Sequence, residues 1–260
     1  MLPSQVGGIW PVFLSYSHLS MATALPISAE QEAARLLALK PYKALENIHN
    51  DVFERIARLT ARLFAAPMAQ VSLVDAEEVV YAGNVGEPKL ADRLARRDSI
   101  CAVAVYKPGA TTVFPDLRTQ PCTWISADAQ KDFAFYASYP IQTASGQAIG
   151  SLCVLDKKPR DFSPEEQLVL QRMAGIAMRL LDLELLALPT QAPALWAAIT
   201  VRIDLSLQRI ETLTALARWE VSAETEMAQA YQASIQEERL LIVQDIEHEI
   251  SMAFSRLGPR

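Results

Sequence analysis

The 260-residue chain carries three cysteines and three histidines. With a few tyrosines and aspartates, these are the side chains on which reactivity would rest. Cys101 opens a short apolar segment, Ile100 to Lys107, which is ambiguous by period but which Ala102 and Ala104 favour as a helix, and backbone amides at a helix start favour a thiolate. Cys153 falls inside a strand-like run, Gln147 to Asp156, where a small buried hydrophobe is the default. Cys122 lies in a long irregular stretch, Pro115 to Lys131, and is expected at the surface, open to adventitious oxidation. Three cysteines are too few and too odd for a disulfide scaffold and fit reduced thiols in a cytoplasmic setting.

The histidines, His18, His49 and His248, are too scattered for a metal motif, and no Cys or His pair has ligand spacing. A Ser-His-Asp or Cys-His arrangement needs a histidine among the central strands, and only His49 is near. No glycine-rich phosphate loop is present. The reading is therefore of a chain without catalytic residues or a metal site. Asp116 follows Pro115 at a strand end and either bonds a ligand or caps its own turn. Asp75 and Asp156 also close strands, where turn chemistry is the default. Tyr136 and Tyr139 fall on opposite faces of one strand, so one lines a pocket and the other packs on helices; alternation alone does not say which. The candidate ligand-binding set is Cys101, Asp116, Tyr136, Tyr139 and Cys153. The ligand is an unidentified small molecule, and no cofactor is implied.

These residues are held by a recognisable succession of elements. Ala29 to Lys40 reads as a helix ending before Pro41. Asn50 can cap a second helix, whose apolar positions Val52, Phe53, Ile56, Leu59, Leu63 and Phe64 make one stripe. Gln70–Asp75 and Glu78–Asn84 read as a tight hairpin, and Gly83–Asp98 as a loop with a helical turn. Thr111–Phe114 is a short strand. Phe133–Gln142 and Gln147–Asp156 flank Ala144-Ser145-Gly146 as a second hairpin. Ser163-Pro164-Glu165-Glu166 combines a capping box with proline at the first helical position, and starts a helix to about Leu188. Pro189–Pro193 is a linker. From Ala194 to Leu257 there is no Gly or Pro, and two helices with a break near Trp219–Ser222 are expected. Their stripes are Ile199, Ile203, Leu207, Ile210, Leu213 and Ala217, then Tyr231, Ile235, Ile242, Ile246, Ile250, Ala253 and Leu257.

Hydrophobic residues make up 51% of the chain, enough for a sizeable core, and the net charge is −6. Ten acids and five arginines between Ala194 and Leu257 place most of that charge in the C-terminal part. The densest basic cluster is Arg93, Arg96 and Arg97, too little for a nucleic-acid surface. The most apolar long stretch, Met173–Leu188, holds Arg179, Asp182 and Glu184, which excludes a membrane span. The first residues have no basic region, and Gly7-Gly8 and Pro11 interrupt their apolar run. They read as a disordered leader over residues 1–28, with Met21 an alternative start.

Six blocks in order resemble the common bacterial GAF domain. They are Pro67-Met-Ala69-Gln-Val71-Ser-Leu-Val-Asp75, Cys101-Ala-Val-Ala104, Val113-Phe-Pro-Asp116, Phe135-Tyr-Ala-Ser-Tyr-Pro-Ile141, Gly146-Gln-Ala-Ile-Gly150-Ser-Leu-Cys-Val-Leu-Asp156, and Pro159-Arg-Asp-Phe-Ser-Pro164. Departures include Ala134 in place of the usual Arg, and Tyr139 where a small residue is usual. The cyclic-nucleotide motif of some members is not visible. One enzyme uses this fold, the free methionine-(R)-sulfoxide reductase; Cys101 loosely matches one of its cysteines, but Trp124-Ile-Ser-Ala-Asp128 stands where its signature loop would be.

The resemblance implies an α+β fold, a central antiparallel sheet of five to six strands flanked by helices, over residues 29–188. After the 189–193 linker comes a helical extension, 194–260, as a hairpin or coiled coil. Glu237–Glu249 is similar to a dimerisation helix of one histidine-kinase family, with Glu247 at the acceptor position and His248 about 100° further round. The implied function is cytoplasmic sensing in signal transduction. A small molecule would bind under Pro115–Lys131, and the terminal helices would pair with a second copy or a signalling partner, with no nucleic acid or membrane involved. The alternatives are a thiol-based reductase and a ligand-free dimerisation scaffold.

Overall fold

The computed structural model describes residues 27–43, 50–87, 91–219 and 226–257. Expectations resting on residues 1–26, Met21, His18, His49 and Ser222, or on the side chains of Asn50, Ala217 and Tyr231, lie outside the described residues. The helices are α1 (Ala29–Lys43), α2 (Asn50–Leu63), α3 (Pro164–Leu186), α4 (Ala192–Trp219) and α5 (Glu226–Arg256). The strands are β1 (Met68–Val74), β2 (Glu78–Val85), β3 (Arg93–Ala95), β4 (Thr112–Phe114), β5 (Phe135–Gln142) and β6 (Ala148–Asp156). They form one six-stranded antiparallel sheet in the order β3-β2-β1-β6-β5-β4. Arg96–Asp98 and Ile100–Tyr106 are 3₁₀ helices.

Both faces of the sheet are covered, and the strands divide their side chains accordingly. Ala69, Val71 and Leu73 of β1, with Phe135, Ala137 and Ile141 of β5, pack toward α2 and α3. Met68 and Val74 of β1, Tyr136 of β5 and Cys153 and Leu155 of β6 pack against the Ile100–Tyr106 segment. That segment and the following loop form a roof.

The sequence sets several of these elements directly. Ser163 accepts from the Glu166 amide at 3.2 Å, and the Glu166 carboxylate takes the Ser163 N–H at 3.0 Å, which fixes the start of α3. Ser28 and Gln31 make a similar reciprocal pair at α1, 3.1 and 2.8 Å. Gly146 turns the β5–β6 hairpin at φ +80°. Gly83 lets α2 lie on the sheet, because a Cβ there would come within 2.2 Å of the Phe53 carbonyl oxygen.

Two expectations need correction. Pro41 does not end α1, which runs on to Lys43. Its last turn is drawn inward by buried Leu39 and by Tyr42, whose hydroxyl donates to Asp182 of α3 at 2.7 Å. Gly83–Asp98 is not only a loop, since Arg93–Ala95 pairs with Glu78–Val80 as edge strand β3.

The C-terminal helices fold back as a further layer. α4 packs on α2 and on α5, and α5 packs on α3. Ile199, Ile203, Leu207 and Ile210 of α4, and Ile235, Ile242, Ile246, Ile250 and Ala253 of α5, are buried in the same core as α2 and α3. Ion pairs follow the same seams. Arg55 of α2 pairs with Asp204, and Arg62 with Glu211 at 2.9 Å. Arg172 of α3 grips Glu247 through two bonds of 2.6 and 3.1 Å. Among the described residues no helix is long and apolar enough to cross a membrane.

Candidate functional site

A row of polar side chains crosses the roofed face of the sheet. The register pairs Asn84 with Gln70, Gln70 with Cys153, Cys153 with Ser138, and Ser138 with Thr112, so five neighbouring strands each give one residue. The Gln70 amide nitrogen donates to Asn84 Oδ1 at 3.2 Å. Beside the row, the Ser72 and Ser151 hydroxyls meet at 2.9 Å, and Tyr81 bonds Ser99 at 2.7 Å, tying β2 to the roof. Cys101 descends from the roof into this layer. Its thiol donates to Gln70 Oε1 at 3.1 Å and lies 3.3 Å from the Cys153 sulfur.

The electrostatics separate these groups. The hydrogen bond from Cys153 outweighs burial and lowers the Cys101 thiol below its usual range, with Ser99, Tyr81 and Ser72 helping. Burial pushes Cys153, Tyr136 and Tyr81 well up. The hydroxyls of Thr112, Tyr136 and Ser138 are buried and, among the described residues, have no hydrogen-bond partner of normal geometry. A buried polar atom left so costs on the order of 1–3 kcal/mol.

The predicted residues distribute unevenly. Tyr136 takes the roofed face and Tyr139 the helix face, where it packs on the main core. Cys101, Cys153 and Tyr136 therefore come together, and Tyr139 does not join them. Asp116 is turned to its own loop, accepting the Arg118 backbone N–H at 3.1 Å and pairing with its guanidinium at 2.8 Å. Cys122 is not at the surface: only 4% exposed, it is held by Gln130, which bonds both its N–H and its carbonyl. The Pro115–Lys131 stretch, expected to cover a pocket, is packed onto the sheet by its own apolar side chains. Leu117, Cys122, Ile125 and Phe133 pack there against Tyr136 and the 3₁₀ segment.

A cavity lies to one side of that loop. A cleft of about 430 Å³ opens between α1, the end of the roof and the β5–β6 turn, with Glu30, Arg35, Val105, Tyr106, Gly146 and Gln147 in its walls. Its floor is braced by a network that sequence reading missed. Glu32 takes Arg35 at 2.6 Å and Arg96 at 2.6 Å. Arg35 also donates to the Val74 carbonyl at 2.5 Å and Arg96 to that of Asp75 at 3.1 Å, while the Arg96 guanidinium lies over the Tyr106 ring. Burial alone would raise the Glu32 carboxyl, but the bonds from Arg35 and then Arg96 hold it at about 2. Only the clustering of Arg93, Arg96 and Arg97 hinted at this in the sequence. Among the described residues no group of three or more His, Cys, Asp or Glu is arranged to hold a metal ion.

Comparison with known proteins bears on this arrangement. Residues 49–181, just over half of the 260, match the GAF domain family. A cyclic di-GMP phosphodiesterase of Pseudomonas aeruginosa is 29% identical over 203 residues, 75% of this chain and 34% of that protein. The chain thus spans about a third of that relative. Among solved structures, the free methionine-R-sulfoxide reductase of Neisseria meningitidis is similar at 21% identity and TM-score 0.43, covering 60% of this chain and 92% of its own. The GAF domain of an Acinetobacter phosphoenolpyruvate-protein phosphotransferase is similar at 12% identity and TM-score 0.43, covering 60% and 95%.

Proposed function

The chain belongs to the GAF domain family, and from that premise we propose that it is a sensor in signal transduction that binds a small molecule between α1 and the roof. One observation carries the reading: the cleft of about 430 Å³ is walled by three separate elements, and Arg96, paired with Glu32 of α1 and lying over the Tyr106 ring, already links two of them. An occupant touching Arg35, Tyr106 and Gln147 would bias how α1 and the 3₁₀ segment sit on the sheet, a population shift that the helices behind the sheet register. Glu30, Gln31 and Gln147 beside Val105, Tyr106 and Pro108 suit a compact molecule with an apolar body and a polar rim. The partial likeness to a cyclic di-GMP phosphodiesterase supports a regulatory place in signalling of that kind. Native mass spectrometry of the purified full chain tests the reading. A retained small-molecule adduct, lost in Tyr106→Ala, is expected; an unliganded mass and no thermal shift across a metabolite panel would overturn it.

The packed face under Pro115–Lys131 favours a second reading, a ligand-free platform. On that reading Tyr106→Ala changes stability alone. The reductase reading needs a thiol that a sulfoxide can reach, and Cys101, Cys122 and Cys153 are all buried, which speaks against it. We also propose that the partner is a second copy, met through the outer face of α4. Val201 and Leu205 remain 58% and 51% exposed there, beside Arg202 and Glu249, which pair with each other at 4.0 Å, so a two-fold contact would bury apolar surface without stranding a charge. Light scattering should report a dimer that Leu205→Glu dissociates; an unchanged monomer would refute this.

A further inference from the structure

We propose that Cys101 and Cys153 form a peroxide-oxidisable pair whose disulfide fastens the roof to the centre of the sheet. Their sulfurs are 3.3 Å apart, both residues are 0% exposed, and they belong to different layers, Cys101 to the 3₁₀ segment and Cys153 to β6. A disulfide needs about 2.0 Å between sulfurs, so closure asks each sulfur to move by less than an ångström. Nothing stands between them, and both thiols point at one acceptor, Gln70 Oε1, at 3.1 and 3.6 Å. The third cysteine is excluded from the pair, since its environment is the Gln130 side chain in the loop.

The chemistry balances with a peroxide as oxidant. The Cys101 thiolate attacks one peroxide oxygen; the S–O bond forms, the O–O bond breaks, and the leaving hydroxide takes up a proton as water. Cys153, losing its proton, then attacks the sulfenic sulfur. The S–S bond forms, the S–O bond breaks, and the second water leaves carrying that proton. Two thiols are oxidised by two electrons in all, and one hydrogen peroxide becomes two waters. The lowered pKa of Cys101 supports it as the attacking sulfur, and the raised pKa of Cys153 suits the resolving one.

The roof is the means of access. The backbone hydrogen bonds at its two ends are local and long, Ala102 N–H to Ser99 at 3.2 Å and Lys107 N–H to Ala104 at 3.3 Å. Such a segment opens more readily than the strands beneath it. Oxidation is therefore slow in the folded chain and gated by roof opening, and once formed the disulfide closes that gate. This inference does not depend on the cleft holding a ligand.

The test uses the wild-type full chain. It is incubated with hydrogen peroxide, unfolded, treated with a thiol-alkylating reagent, digested and mapped by mass spectrometry. The expected product is a linked peptide joining Cys101 to Cys153, with Cys122 alkylated, and dithiothreitol restores both thiols. Amide exchange over residues 100–106 should slow by about tenfold or more in the oxidised protein, as a tethered segment loses its local opening. Cys122→Ser should give the same linked peptide. Recovery of Cys101 and Cys153 both alkylated, or a link made instead to Cys122, would overturn the proposal.

Discussion

Glu32 carries two guanidinium groups on one carboxylate, and its side chain is only 17% exposed. Glu32→Gln leaves Arg35 and Arg96 buried without a counter-charge, a loss of about 2–3 kcal/mol after allowing for partial exposure. Urea denaturation at pH 7 measures it. Because the folded carboxyl is depressed from 4.5 to about 2, its stabilisation is complete above pH 4.5 and is lost as the pH falls toward 2. The gap between wild type and Glu32→Gln should narrow over that window, and a gap that stays constant would contradict the network. At Gly83, whose added Cβ meets the Phe53 carbonyl at 2.2 Å, substitution by alanine should cost about 1–3 kcal/mol or more, because backbone has to move. The same site shows what sequence reading lacked. Glu32 and Arg96 are 64 positions apart, and no local pattern links residues so distant. The alternation of Tyr136 and Tyr139 was legible, but not which side each takes, because both sides of β5 are buried.

At the scale of elements, what was legible had a local cause. The start of α3 follows from Ser163, Pro164 and Glu166, and the stripe of α2 from its spacing. β3 was missed because an edge strand of three residues, two of them exposed, carries no period. The Ile100–Tyr106 segment was ambiguous because all seven of its residues are buried, so neither helical nor strand alternation survives. In β1 every residue is buried too, and the alternation that remains is of Ala69, Val71 and Leu73 with Gln70 and Ser72, apolar toward the helices and polar toward the roof. A buried residue of α5 tests whether that helix belongs to the core. Ile246→Ala should destabilise by about 2–4 kcal/mol in the same single transition as a core residue of the sheet. A separate low-stability transition would show that α5 folds by itself.

For the whole molecule, the lopsided charge of the sequence has a structural counterpart. The acidic C-terminal helices lie on Arg55, Arg62 and Arg172 of the two helices behind the sheet. Their apolar stripes, which sequence alone could equally assign to a partner chain, are spent on the chain's own core. A chain ending at residue 188 bares that face and those arginines together. Its expected behaviour is self-association or precipitation on size-exclusion chromatography at a concentration where the full chain elutes as one sharp species.

β6 sits between the two covers, with Cys153 and Leu155 directed to one and Leu152 and Val154 to the other. Successive side chains on this strand therefore answer to opposite sides of the protein. A substitution that shifts this strand's backbone would disturb the packing of both covers at once.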